Sequence, residues 1–289
     1  IVPLPIELQG YGKPQYINSE YAFDGYSDGE YGETITTNNP CMVYVKDFEW
    51  EKATDKKYIL NFKGSESAMF LYVNGEFVGY SENLFLDSEF DITRQLQRGN
   101  NRIAVLCFKY SSSTWLLDQD FFRFSGLFRG VTLSEVSVDG IYDIEVRSRV
   151  NSEERSSETE IILCCEADGV VRELEIQDDQ GNTIWTCRTR NTRSNASLKD
   201  LQLWTAETPH LYRLIIRSYK EDSLFEIAEL SIGFRDVRIR DGMLLLNGKR
   251  LILNGINRHE WNMERGQSIT EEDIEFDVKF LKEHNVNAI

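Results

Sequence analysis

Along residues 1–137, short apolar runs alternate with polar positions at period two and are separated by turn residues. These runs occupy 42–48, 58–62, 69–73, 76–80, 102–108 and 131–136. Period-two alternation places successive side chains on opposite faces of a strand, one buried and one wet. Asn74-Gly75 separates two of the runs and is a strong hairpin signal, because both residues tolerate positive φ. The turn-rich Arg98-Gly99-Asn100-Asn101 predicts the end of a further strand. Helical periodicity is nearly absent, which predicts an all-β domain of two packed sheets.

The same style continues over 138–235, with runs at 141–150, 159–166, 172–177, 183–188, 211–219 and 224–232. Asp178-Asp179-Gln180-Gly181-Asn182 forms a turn between two of them. About seven strands in roughly 100 residues predict an immunoglobulin-like sandwich. No Cys…Trp…Cys spacing accompanies them, so the expectation concerns architecture only.

From residue 236 the pattern changes. Runs at 243–246 and 251–254 flank Asn247-Gly248-Lys249-Arg250 and predict another hairpin. Thr270 stands three residues before Asp273, and Ile274, Val278 and Leu281 follow at i, i+4 and i+7. That combination predicts a capped amphipathic helix. Asn285-Val286-Asn287-Ala288-Ile289 then reads as the start of a buried strand with nothing to pair with, the mark of a truncated domain.

Composition narrows the classes. At 289 residues the prior is about two domains. Of 34 Phe, Trp and Tyr residues, 24 precede residue 138, so aromatic density marks a boundary there. The formal charge of −16 opposes nucleic acid and anionic lipid as partners. No apolar run approaches the ~18 residues of a membrane span, and Ile1-Val2-Pro3-Leu4-Pro5 lacks the charged start of a signal peptide. The chain does not begin with Met, which suggests trimming. Five cysteines without a CxxC pair read as free thiols and lean towards a reducing, cytoplasmic setting.

Two segments concentrate candidate chemistry. Asp118-Gln119-Asp120 precedes Phe121-Phe122-Arg123-Phe124. It reads either as a solvated loop before a core strand, or as carboxylates beside rings that stack on a sugar's C–H face. An oxygen-ligated cation is a further use for a carboxylate there. Asn257-Arg258-His259-Glu260 follows an apolar run and clusters polar groups at a strand end, although a lone histidine is commonly structural. His284 suits a helix terminus and His210 a turn. GxSxG, Walker, GxGxxG and HExxH motifs are all absent. Asn195-Ala196-Ser197 matches the glycosylation triplet, a common pattern of little weight.

Taken in order along the chain, several motifs resemble the amino-terminal part of the large microbial β-galactosidases of glycoside hydrolase family 2. They begin with Gln9-Gly10-Tyr11-Gly12-Lys13-Pro14-Gln15-Tyr16-Ile17-Asn18 and Val73-Asn74-Gly75 with Val78-Gly79-Tyr80. Asp87-Ser88-Glu89-Phe90-Asp91-Ile92, Trp115-Leu116-Leu117-Asp118-Gln119-Asp120 and Ser125-Gly126-Leu127-Phe128-Arg129 follow. Gly233-Phe234-Arg235, Leu246-Asn247-Gly248-Lys249 and Gly255-Ile256-Asn257-Arg258-His259-Glu260 complete the series.

The resemblance implies a mainly β chain. A jelly-roll sugar-binding domain would occupy 1–137 and an immunoglobulin-like sandwich 138–235, with the truncated start of a (β/α)₈ barrel at 236–289. It implies that Asn18 and Asp120 reach the galactose pocket, that Asp120 helps ligate sodium, and that His259 contacts the sugar near the reacting centre. Asp118 is left as structural.

A Trp common near the start of such chains is missing from Pro5-Ile6-Glu7-Leu8-Gln9. The two catalytic glutamates of the family lie beyond residue 289 and match neither Glu260 nor Glu264, so no catalytic residue is assigned within the chain and the 289 residues alone are expected to be inactive. The implied parent is a retaining β-galactosidase using magnesium and sodium, acting on a β-galactoside and forming homo-oligomers. Two alternatives stand beside it: a non-catalytic carbohydrate-binding module, and a β-glucuronidase or β-mannosidase of the same family.

Overall fold

The computed structural model describes residues 4–12, 14–17, 39–83, 85–116, 121–167 and 169–289. Two compact units account for the chain. Ile1–Val136 joins Arg258–Phe280 in one, and Ser137–Asn257 joins Leu281–Ile289 in the other.

In the first unit, strands Cys41–Trp50, Gly99–Phe108, Ala68–Val73 and Glu76–Ser81 lie side by side in that order. Val131–Ser137, Lys56–Phe62 and Ser88–Asp91 form a second sheet. The alternation read from the sequence supplies the core: Tyr58, Leu60 and Phe62 from one sheet, and Met69, Leu71, Val73, Val105 and Cys107 from the other, are buried. Trp50 meets Tyr58 edge to face with ring centroids 6.1 Å apart, within the favourable range for aromatic pairs.

Asn74-Gly75 makes the predicted hairpin, with φ of 52° and 87° and Val73 opposite Glu76. The Asn74 side chain also ties the turn to the rest of the sheet. Its Nδ2 donates to Gln95 O and its Oδ1 accepts from Arg102 N, at 2.9 and 2.8 Å.

The expectation of a strand ending at 98–101 is corrected, because a strand begins there instead, at Gly99. The preceding strand stops at Asp91. Asn101 explains the turn between them. Buried at 3% exposure, it accepts from Gln97 N at 2.9 Å and donates to the carbonyls of Gln97 and Gly99 at 2.8 Å. Its amide thus satisfies backbone groups that a ladder would otherwise have to pair.

The second unit is a sandwich. Asp143–Asn151, Ser156–Cys164 and Arg193–Leu198 form one sheet; Thr183–Thr189, Val171–Gln177, Tyr212–Lys220 and Ser223–Ile232 form the other. Leu174, Ile176, Leu214, Ile216, Ile161 and Phe234 fill the space between them. Arg193–Leu198 has no counterpart in the sequence reading, because its inward residues are Ser194, Ala196 and Leu198. Two of those three are too small or polar to register as an apolar alternation.

The segment after Phe234 differs in two respects from its expected form. The hairpin around Asn247-Gly248 pairs Met243–Leu246 with the short strand Lys249–Arg250, and 251–254 lies outside the named strands. Its other neighbour is Val237–Arg240, whose four residues are all exposed. The final segment does find a partner. Gly255 bridges Ala288 in parallel, supported by Ile256 N donating to Ala288 O at 3.2 Å and Asn287 N to Asn254 O at 3.0 Å.

The predicted helix is Glu271–Glu283. Thr270 Oγ1 accepts from Asp273 N at 3.3 Å while the Asp273 carboxylate accepts from Thr270 N at 2.7 Å, a reciprocal capping box. The Thr270 backbone bond, followed by Arg265, pulls the Asp273 carboxyl down to about 2. Among the described residues, no helix is long and apolar enough to cross a membrane.

Leu71 and Ile216 are both at 0% exposure in their respective cores. Leu71→Ala and Ile216→Ala should each cost about 2–5 kcal/mol by urea unfolding, the first in the unit built on the first sandwich and the second in the other unit.

Candidate functional site

A short antiparallel pair carries the frame of the candidate site. Gln15–Ile17 aligns with Phe121–Arg123 so that Gln15 opposes Arg123, Tyr16 opposes Phe122 and Ile17 opposes Phe121. In the chain Asn18 directly follows Ile17, and Asp120 directly precedes Phe121. Both candidates, together with Asp118, lie outside the described residues.

The third candidate, His259, is exposed and sits in a stretch whose neighbours are anchored. Arg258 Nε donates to Asp277 of the helix at 2.7 Å. Glu260 pairs with Arg129. The Trp261 ring stacks on Phe122 and Phe124 at 5.4 and 5.8 Å, with interplanar angles of 16° and 20°. Tyr16 extends the cluster, 5.3 Å from Phe122. Asn262 donates to Asp273 at 3.0 Å and exchanges two backbone bonds with Gly266.

Beneath this surface lies a buried polar network absent from the sequence reading. Lys109 Nζ donates to Glu7 Oε1 at 2.8 Å, with side chains 5% and 2% exposed. The same carboxylate accepts from Ser125 N at 3.0 Å and Ser125 Oγ at 2.7 Å. These bonds offset the cost of taking a charge out of water.

The following Gly126 has a φ of +89°, and a Cβ there would stand 2.2 Å from the Tyr44 hydroxyl. Only glycine fits the close approach that lets Leu127 N reach Tyr44 Oη at 3.2 Å. Burial pushes the Tyr44 phenol up to about 12.

Gly126-Leu127 pairs with Ser65-Glu66, which brings in a second buried acid. Burial pushes the Glu66 carboxyl from the ordinary 4.5 up to about 8; Gln267, Arg123 and Lys109 oppose the rise and Glu7 adds to it. Gln267 Nε2 donates to Glu66 Oε2 at 2.5 Å, while Gln267 Oε1 is buried with no partner among the described residues. Ser268 Oγ, next along, donates to Phe128 O at 2.7 Å.

In the sequence Gly64-Ser65-Glu66-Ser67 reads as a polar turn between two strands and gives no sign of burial. Trp261 left a better clue, since from 236 to 275 it is the only aromatic of the Phe, Trp and Tyr type. Among the described residues, no three His, Cys, Asp or Glu side chains gather as a metal requires.

Comparison with known proteins covers the chain almost end to end. The model for the sugar-binding domain of glycosyl hydrolases family 2 matches residues 1–137, the model for glycosyl hydrolases family 2 matches 136–235, and the model for that family's TIM barrel domain matches 237–289. A β-galactosidase of Clostridium acetobutylicum is 40% identical over the whole chain, which covers 33% of that protein. One from Lactobacillus delbrueckii subsp. bulgaricus is 38% identical over the whole chain, covering 29% of it. The chain thus spans about a third of the length of these relatives. Among solved structures, a β-glycosidase from Bacteroides vulgatus superposes with a TM-score of 0.74 at 22% identity, over 92% of this chain and 35% of that one. A β-glucuronidase of an uncultured Clostridium sp. gives 0.72 at 23%, over 84% and 43%. At such identities the likeness concerns the fold.

The raised Glu66 carboxyl sets a pH dependence. Below about pH 4.5 the acid is protonated in folded and unfolded chains alike; from there to about 8 the folded chain keeps a proton that the unfolded chain releases. Stability therefore falls as pH rises through this window. Glu66→Gln keeps a neutral donor and acceptor and should remove that contribution. Its urea midpoint should match the wild type near the acid end and exceed it increasingly towards pH 8; a constant gap across the window would refute the assignment.

Proposed function

The chain belongs to glycoside hydrolase family 2, and from that premise we propose that it carries the sugar-binding part of a β-galactosidase that releases terminal β-linked galactose with retention. The observation that carries this reading is the alignment of the whole chain, at 38–40% identity, with proteins named β-galactosidase. Those alignments include the positions of Asn18, Asp120 and His259.

In this reading Asn18 and Asp120 hold hydroxyls of the galactose ring, and His259 contacts the sugar near the reacting carbon. Retention requires an acid/base carboxyl and a nucleophilic carboxyl about 5 Å apart across the scissile bond. Glu260 is engaged with Arg129, and neither it nor Glu264 is given such a role. The 289 residues alone are accordingly proposed to bind and shape, with the pair of catalytic carboxylates assigned outside them. Asp120 is proposed as this chain's share of a sodium site, and magnesium is assigned to residues other than these. The free cysteines, Cys41, Cys107, Cys164, Cys165 and Cys187, favour a reducing compartment.

A β-glucuronidase is the second reading, favoured by the name of one structural neighbour. Such an enzyme must place cations around a substrate carboxylate, and a carboxylate at Asp120 would oppose that charge.

The full-length protein, assayed against nitrophenyl β-galactoside, β-glucuronide and β-mannoside beside the 289-residue chain, should turn over the galactoside alone, with the shorter chain silent. Preference for another glycoside would discard the substrate, and a silent full-length protein would favour a binding module. In the full-length protein Asp120→Ala should lower kcat/KM for the galactoside about tenfold to a hundredfold, the worth of a hydrogen bond to a charged group.

A further inference from the structure

His259 is an exposed residue between anchored ones, and its anchors come from two directions. The helix holds Arg258 through Asp277 and Asn262 through Asp273. The first sandwich holds Glu260 through Arg129 and Trp261 through Phe122 and Phe124. Phe122 belongs to the strand that Asp120 directly precedes.

Three rings within 5.4–6.0 Å of one another and 16–25° of parallel form a stack of wide, stiff faces. Such a stack tolerates little sliding without losing contact area. Phe124, at 2% exposure, roots it in the unit, while Phe122 is 36% exposed.

We propose that Trp261 is a positioning residue, whose stack on Phe122 and Phe124 fixes the 258–262 turn and so sets where His259 stands relative to the strand that follows Asp120. The proposal deepens the glycosidase reading and rests on it for the role of His259; the clamp itself rests on geometry. Without the stack, Arg258 and Asn262 stay tied to the helix through Asp277 and Asp273. The turn is then joined to the first sandwich by the half-buried Glu260–Arg129 pair alone among the contacts named, and a partly solvated ion pair fixes direction poorly. The imidazole then samples positions away from the one the turn defines, and misplacement of a substrate contact by about 1 Å can cost about 100-fold in rate.

Two readouts test it. The chain has only three histidines, His210, His259 and His284, so their Cε1–H signals can be resolved by carbon–proton correlation and His259 assigned with His259→Gln. In Trp261→Ala the His259 signal should shift from its wild-type position while those of His210 and His284 stay. Trp261→Phe should keep it close to the wild-type position. In the full-length protein the same Ala variant should lower kcat on nitrophenyl β-galactoside at least tenfold, with the Phe variant recovering most of it and the unfolding midpoint little changed.

An unmoved His259 signal, or wild-type kcat in a folded Trp261→Ala, overturns the proposal. Should that variant not fold, Phe122→Ala removes the half-exposed side of the stack and is read by the same two measurements. A wild type without galactosidase activity would end the functional reading, and the His259 signal would still decide the clamp.

Discussion

A carboxylate withdrawn from water must find its hydrogen bonds inside the protein, and Glu7 does so with two groups more than a hundred residues away. Lys109 stands just past the strand Gly99–Phe108 and Ser125 just past Phe121–Arg123, and Glu7 accepts from both. Its neighbour Ile6 adds a backbone bond to Ser125 O at 3.0 Å. The N-terminal segment is thereby joined to two strand ends at once. Removing one partner of a buried pair costs about 3–5 kcal/mol, because the other charge is left bare. The short ladder of Gln15–Ile17 on Phe121–Arg123 has too few residue pairs to hold a strand alone, and Tyr110 Oη donating to Gln15 Oε1 at 2.7 Å ties it down beside this junction.

Ser125-Gly126-Leu127 serves three constraints in three residues. Ser125 satisfies Glu7, Gly126 makes room for the Tyr44 hydroxyl, and Leu127 closes the core at 0% exposure. On the other side of Gly126 stands Glu66, and beyond it Gln267. The polar network therefore runs from the first described residues to the segment matched by the barrel model, beneath the turn that presents His259.

The sequence announced those features whose local chemistry and tertiary role agree. Asn74-Gly75 is a turn by propensity and by position, and Thr270 with Asp273 caps a helix in both senses. Tyr58, Leu60 and Phe62 alternate because one face of their strand is buried. Where the two levels part, the reading failed. Arg193–Leu198 is a strand with a nearly polar sequence, held by pairing to Ser156–Cys164 along its length. Val237–Arg240 buries none of its residues. Asn100-Asn101 looks like the close of a strand, yet Asn101 turns its amide inward to open one. For the site, local pattern singled out the segments of Asp120 and His259, whereas Asn18 and the roles of all three came from family likeness. Glu7, Glu66 and Gln267 could not be found locally, because their partners are fixed only by the folded chain.

The bond between Glu66 and Gln267 spans 201 positions of chain, and this has a consequence for the order in which a ribosome delivers them. At about 5–20 residues per second, Glu66 emerges roughly 10–40 s before its amide partner. During that interval the whole immunoglobulin-like sandwich is made. The acid meanwhile lacks the amide that meets it in the fold, and the first unit is complete only once residues 258–280 have been made.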